Sequence, residues 1–306
     1  VIGGHRGGVD DHAAFLTDRL GRDQSRREAG NHSEGAYQVD LDARREERKQ
    51  LEADLKYGID NNEIRVAFQP VVSTLSRRII GVEALARWNR PGYGPVSPDI
   101  FIAAAESGGL IDKLGMQVMR TALKEAAAWP ELKIAINISP VQFRNPAFAG
   151  HVVQVLDETG IAPERVMLEM TEGYFIHHPE RAQAVIEKLQ QIGLSIALDD
   201  FGSGFASTGY LRRFGFDRMK IDKSLVVALE EGGRSLEMLT ATVALARSLG
   251  IPVTAEGIET EDQAVILQIC GCDELQGYLF SKPLPAAGIH ELLAQQDAPM
   301  EQLKAS

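Results

Sequence analysis

The chain alternates two apolar patterns. Short, nearly continuous apolar runs occur at 65–72 (RVAFQPVV), 78–86 (RIIGVEALA), 133–139 (KIAINIS), 165–171 (RVMLEMT), 194–200 (LSIALDD), 218–222 (RMKID), 251–257 (IPVTAEG) and 274–280 (ELQGYLF). From the third run onward, stretches with apolar residues at helical spacing separate them. PERAQAVIEKLQQIG (179–193) has Pro at its start and Gly at its stop, and RSLEMLTATVALARSLG (234–250) repeats the pattern. Strands alternating with helices of this length predict right-handed βαβ units and a parallel sheet. Eight strands predict an α/β fold of the closed (β/α)8, TIM-like kind. The first two runs depart from this. Only STLSR joins them, and a parallel crossover needs a dozen or more residues. They are therefore expected to pair antiparallel. An open doubly wound sheet is the alternative, but its glycine-rich first turn is missing.

The flanks read differently. Residues 1–41 are rich in Gly, Asp, Arg and His without a steady period and read as a tail or linker, possibly the remnant of an upstream regulatory domain. A charged, helix-prone lead-in begins at Asp42, with Leu51, Leu55 and Ile59 at i, i+4, i+8. The barrel with this lead-in is expected over 42–296, with a C-terminal tail at 297–306. The chain starts at Val1 rather than Met and is expected to be a piece of a longer protein.

Bulk composition narrows the classes. The 306 residues are 44% hydrophobic and 25% charged, an ordinary globular balance. No apolar run approaches the roughly 18 residues that span a bilayer, and the first residues lack the pattern of a signal peptide. A net charge of −11 argues against DNA or RNA polymers, which need a basic surface. Cys270 and Cys272 are too close for an ordinary disulfide and lack zinc-type spacing. They read as small residues at a helix end, and a cytoplasmic, reducing setting fits. No membrane contact is expected of this fragment.

The chemistry lies at the strand ends, where barrels of this type place their active sites. Glu83, Asn137, Glu169 and Glu172, the adjacent Asp199 and Asp200, Lys220, Glu256 and Glu259, and Gln276 all fall there. Acids are common at strand ends and as helix caps, so each alone says little. Together, acids outnumber one lysine and would repel one another. Divalent cations resolve that, and oxygen-only ligands favour Mg²⁺ or Mn²⁺ over zinc. Asp199 and Asp200 would ordinarily point to opposite faces; a break in alternation at the strand end would let both reach the metals. Lys220 would orient or deprotonate a water, its pKa lowered by nearby cations, or act as a plain counter-charge. His177 and His178 read as capping or surface residues.

The ordered set FQPVV, GVEALARW, NIS, EMTE, DDFGSG, KID, AEGIE and QGYLFSKPL resembles the EAL family of cyclic di-GMP phosphodiesterases, from about Leu51 to Leu293. The resemblance implies a (β/α)8 barrel with its first strand antiparallel, and hydrolysis of cyclic di-GMP to linear 5′-pGpG. It implies two cations, Mg²⁺ or Mn²⁺ with Ca²⁺ inhibitory, on Glu83, Asn137, Glu169, Asp199, Asp200 and Glu256. Lys220 would act on the attacking water. Arg87 would contact a substrate phosphate, Gln69 and Leu85 would line the guanine groove, and Gln276 would hold site and substrate. Glu259 and Asp222 would support the site from behind. Glu172 would anchor the loop at 199–207, which the family uses to couple homodimer formation to metal binding. Degenerate members lose some of these acids and act as cyclic di-GMP receptors; here every position is filled. Ser203, Gly215, Thr208 and Gly209 depart from the commoner residues, and no complete GGDEF signature occurs. A Schiff-base aldolase on Lys220 has little use for so many acids.

Overall fold

The computed structural model describes residues 45–171, 179–202, 208–231 and 233–297. The chain divides into two compact units, Val1–Ala53 and Asp54–Ser306. Of the first, residues 45–53 are described and are helical. In the second, a helical stretch over 54–60 buries Leu55 and Ile59, in line with the apolar spacing of the lead-in.

The strands are β1 (Ile64–Ser73), β2 (Ile79–Arg90), β3 (Gly94–Val96), β4 (Lys133–Asn137), β5 (Val166–Thr171), β6 (Ser195–Phe201), β7 (Arg218–Ile221), β8 (Val253–Ala255) and β9 (Glu274–Leu275). Neighbours run β1-β9-β8-β7-β6-β5-β4-β2-β3, and β1 also pairs with β2, so eight strands close into a barrel. β1 is antiparallel to both β2 and β9, while the pairs from β2–β4 to β8–β9 are parallel. The short 73–77 link makes the hairpin expected of it. The three-residue β3 was not foreseen: it pairs only with the outer end of β2 and is too short to carry an alternation of its own.

The helices are α1 (Pro98–Ser107), α2 (Ile111–Ala126), α3 (Phe148–Thr159), α4 (Pro179–Ile192), α5 (Thr208–Phe214), α6 (Lys223–Val227), α7 (Arg234–Ser248), α8 (Glu261–Cys270) and α9 (Ala286–Asp297). The two helices read from their punctuation, α4 and α7, end where expected. α8 opens on a capping box, with the Thr260 side chain accepting from the Gln263 N–H. Cys270 closes α8, Cys272 is buried, and both thiols are free. The main core lies between strands and helices, where Phe68, Ile134, Leu168, Ile196, Met219 and Val253 are buried. The opposite strand faces line the barrel interior, where Ala135, Met167 and Ala197 form a small separate cluster. The two alanines leave the upper interior to polar side chains. Among the described residues no helix is long and apolar enough to cross a membrane.

Candidate active site

Period-two alternation sends Gln69, Glu83, Glu169, Asp199 and Lys220 inward from β1, β2, β5, β6 and β7. Ladder pairing then places them side by side: Gln69 faces Glu83, and Asn137 faces Glu169. Glu256 and Gln276 follow directly after β8 and β9. Two glycines permit their approach. A Cβ on Gly277 would lie 2.1 Å from the Ile258 carbonyl oxygen, and one on Gly257 (φ +69°) would lie 2.4 Å from Lys223 Cβ. The loops after β8 and β9 therefore pack backbone to backbone, with Ile258 N–H donating to the Gln276 carbonyl at 3.1 Å.

The end of β6 answers how two adjacent carboxylates serve one site. The β6–β7 register shifts between Leu198 and Phe201, and Asp200 takes φ +56°. A left-handed residue in a strand is strained unless it is glycine, and Asp tolerates it better than most. The kink cancels the alternation. Carboxylate oxygens of Asp199, Asp200 and Glu256 lie within 4.8 Å of one another, and the Asp200 N–H donates to Asp199 Oδ1 at 3.0 Å.

Lys220 is the counter-charge that no local residue supplies. Its buried Nζ lies 2.5 Å from Glu256, 2.7 Å from Glu169, 3.5 Å from Asp199 and 3.6 Å from Glu83. Glu83 is further held by Asn137 Nδ2 and Gln276 Nε2, each donating at 2.6 Å.

One ammonium does not satisfy this many carboxylates. Burial, opposed by Lys220 and reinforced by Glu83, Asp199 and Glu256, raises the Glu169 carboxyl well above its usual range. Burial likewise pushes Glu256 up to about 8, with Lys220 opposing and Asp199 and Glu83 adding to it. Asp200 is raised by burial and then by Asp199 and Asp222. In Glu83 alone among these the burial effect is outweighed, by Lys220 and the Gln276 and Asn137 hydrogen bonds, and its pKa falls. For Lys220 burial favours the neutral amine, but Glu169, Glu256, Glu83 and Asp199 overcome it and raise the pKa. The protein's own field thus favours the ammonium, whereas the lowering expected from nearby cations would act against it. The oxygen-only set, short of positive charge, fits hard divalent cations.

A cavity of about 500 Å³ opens over the site, lined in part by Gln69, Glu83, Leu85, Asp200, Glu256 and Gln276. Glu259 and Asp222 also line it. The Glu259 N–H donates to Gln263 at 2.8 Å, and Asp222 caps α6 by accepting from Ser224 N–H at 3.0 Å. Arg87 is not brought to this wall; its guanidinium donates to the Ala86 carbonyl at 2.9 Å. Glu172, His177, His178 and residues 203–207 lie outside the described residues. Asp99, Lys223 and Tyr278 also line the cavity and were missed. Lys223 directly follows KID and Tyr278 falls within QGYLF, so both were within reach of the motif reading; Asp99 sits on α1, just after the short β3 that was not foreseen.

An EAL domain family model matches residues 52–283. The chain is 36% identical over 237 residues to "Cyclic di-GMP phosphodiesterase RocR" of Pseudomonas aeruginosa, covering 76% of this chain and 60% of that protein. It is 33% identical over 249 residues to "Cyclic di-GMP phosphodiesterase NbdA" of the same organism, covering 80% of this chain and 32% of that protein. A solved structure, "PaMucR Phosphodiesterase, c-di-GMP complex", aligns with TM-score 0.75 and 33% identity over 78% of this chain and 99% of that one. Of the first two curated relatives it matches, the chain spans about a third of the length, 31% and 32%. With the strand-end acids and the antiparallel first strand in place, the match over 52–283 settles the family: this chain belongs to the EAL domain family.

Proposed function

We propose that this domain hydrolyses one phosphodiester bond of cyclic di-GMP, giving linear 5′-pGpG. The observation that carries the reading is the charge imbalance at the strand ends: Glu83, Glu169, Asp199, Asp200 and Glu256 converge, with Lys220 as the ammonium among them. Those acids, with Asn137, would hold two divalent cations, Mg²⁺ or Mn²⁺. Bound there, the ions supply an activated water and neutralise charge building on the phosphate. The reaction adds water across one P–O3′ bond, leaving a 5′-phosphate and a 3′-hydroxyl. Lys220, whose ammonium lies among these acids, acts on the water, orienting or deprotonating it. Gln69, Leu85 and Gln276 bind the nucleotide from the cavity wall, and Arg87 turns to a phosphate. Glu259 and Asp222 support the site from behind. Glu172 as loop anchor, a homodimer and a cytoplasmic setting belong to the same reading.

The test is incubation with cyclic di-GMP and Mg²⁺ or Mn²⁺, followed by chromatographic separation of products. Appearance of pGpG is expected. Tight binding without turnover would make the domain a receptor instead.

A further inference from the structure

Beneath the carboxylate ring the barrel holds a second polar layer. The residues two positions before Lys220, Glu256 and Gln276 are Arg218, Thr254 and Glu274, which period two places on the same inward face. Arg218 Nη1 lies 2.9 Å from Glu274 Oε2 and donates to Thr254 Oγ1 at 3.3 Å. The Thr254 hydroxyl donates to the same Glu274 oxygen at 3.0 Å. Across the barrel the layer is made of small or apolar residues, among them Gly81, Ala135 and Met167.

A cavity of about 30 Å³ touches both layers; its polar wall is Glu169, Lys220, Arg218, Thr254, Glu274 and Gln276, with the exposed Lys133 at its edge. By this measure one water needs roughly 10–15 Å³. Among the described residues, two polar atoms of that wall have no hydrogen-bond partner: the donor Arg218 Nε and the acceptor Gln276 Oε1. Both side chains belong to residues more than nine-tenths buried, 8% and 3% exposed. Buried polar groups in proteins are almost always paired, with protein or with ordered water. A donor and an acceptor on one water-sized cavity are what a single water satisfies together.

We propose that this cavity holds one ordered water, which accepts from Arg218 Nε–H and donates to Gln276 Oε1, and that Arg218 is thereby a positioning residue for the metal site. The Gln276 amide has two orientations. In one, its NH₂ faces Glu83 and donates at 2.6 Å; in the other, two acceptor oxygens would meet. Glu83, with Gln69 Oε1 accepting at 3.3 Å, selects the first; the water satisfies the Oε1 that this orientation turns away and so holds the amide in place, and Glu274 with Thr254 fixes the guanidinium that holds the water. Arg218 so acts on Glu83 through the water and Gln276. The inference rests on the reading of Glu83 as a metal ligand.

Arg218→Lys keeps the charge and its partner Glu274 but has no Nε–H. In the full chain, calorimetric Mg²⁺ affinity should fall about three- to ten-fold, the scale of one hydrogen bond. Melting in chelator should stay at the wild-type value. Gln276→Ala should also weaken Mg²⁺, and in its background Arg218→Lys should add nothing, because both act through one link. A high-resolution crystal structure of the wild type should show a water within hydrogen-bond distance of both atoms. Equal effects of Arg218→Lys in the two backgrounds, or no water touching both atoms, would overturn the proposal. If the wild type binds no Mg²⁺, the metal reading fails, and the crystallographic result still decides the water.

Discussion

The barrel interior carries two polar layers, and they solve the problem of buried charge in opposite ways. The lower layer pairs one cation with one anion: Arg218 meets Glu274, and Thr254 bonds to both. The upper layer sets Glu83, Glu169, Asp199 and Glu256 around Lys220 alone. A closed pair calls for no further charge. Burial, and then the mutual repulsion of an overfull ring of carboxylates, raises the pKa of its members, as in Glu169 and Glu256, and cations from solution would relieve it. Buried charges are ordinarily paired, so the unbalanced layer, and not the merely charged one, marks where a ligand goes.

The contrast breaks most completely when metal is withheld. Chelation should abolish hydrolysis of cyclic di-GMP and Mg²⁺ or Mn²⁺ should restore it, with Ca²⁺ binding but supporting little turnover because its coordination is larger and looser. Turnover that survives thorough chelation would contradict the reading of the upper layer.

Within the upper layer, Lys220→Ala should keep substrate binding and lose about 10²-fold or more in kcat, the range of a lost acid–base group. Asp199→Asn should lose still more, since that carboxylate lies beside both Asp200 and Glu256. Steady-state kinetics with a binding titration separates the two effects; near-wild-type kcat in Lys220→Ala would reduce that lysine to a counter-charge.

For the Arg218–Glu274 charge pair itself the expected effects are on stability. Glu274→Leu strands the Arg218 charge and should cost about 3 kcal/mol, whereas replacing both members with apolar residues of similar volume should be near neutral. Urea unfolding of the single and double variants measures this. A double variant as unstable as the single would mean the pair contributes more than mutual neutralisation.

The smallest expected effect is a slope with pH. Glu256 sits at about 8 in the fold against an ordinary 4.5, so the folded state favours its neutral form. Its contribution to stability is fully present below pH 4.5 and is lost as pH rises through 8. Glu169, also raised, acts in the same direction. The metal-free protein should therefore melt lower at pH 9 than at pH 6, and Glu256→Gln should flatten the fall. Added Mg²⁺ should stabilise more at the higher pH, where the acids are ionised. Thermal melts at both pH values, with and without Mg²⁺, check the sign.

Much of this architecture was legible in one sequence. The eight apolar runs each overlap a barrel strand, because buried strands need continuous apolar residues whatever their neighbours. The short 73–77 link dictated the antiparallel first strand by chain length alone. The acids at the strand ends were legible because barrel topology sends strand ends to one rim. Other features depend on contacts between distant segments. The left-handed turn at Asp200, which brings both adjacent carboxylates to one side, is a backbone angle that no run of residue types specifies. The upward push on the Lys220 pKa comes from four acids on four other strands or loops, and the local context KID gives no hint of its sign. The lower layer was open to a parity reading, two residues before each site residue, yet its pairing of Arg218 with Glu274 joins strands β7 and β9 across β8. Sequence alone determined which residues stand at strand ends and on inward faces, since period and chain length are local. Only the closed barrel decided which charges meet, because Coulomb energy depends on distances that closure sets.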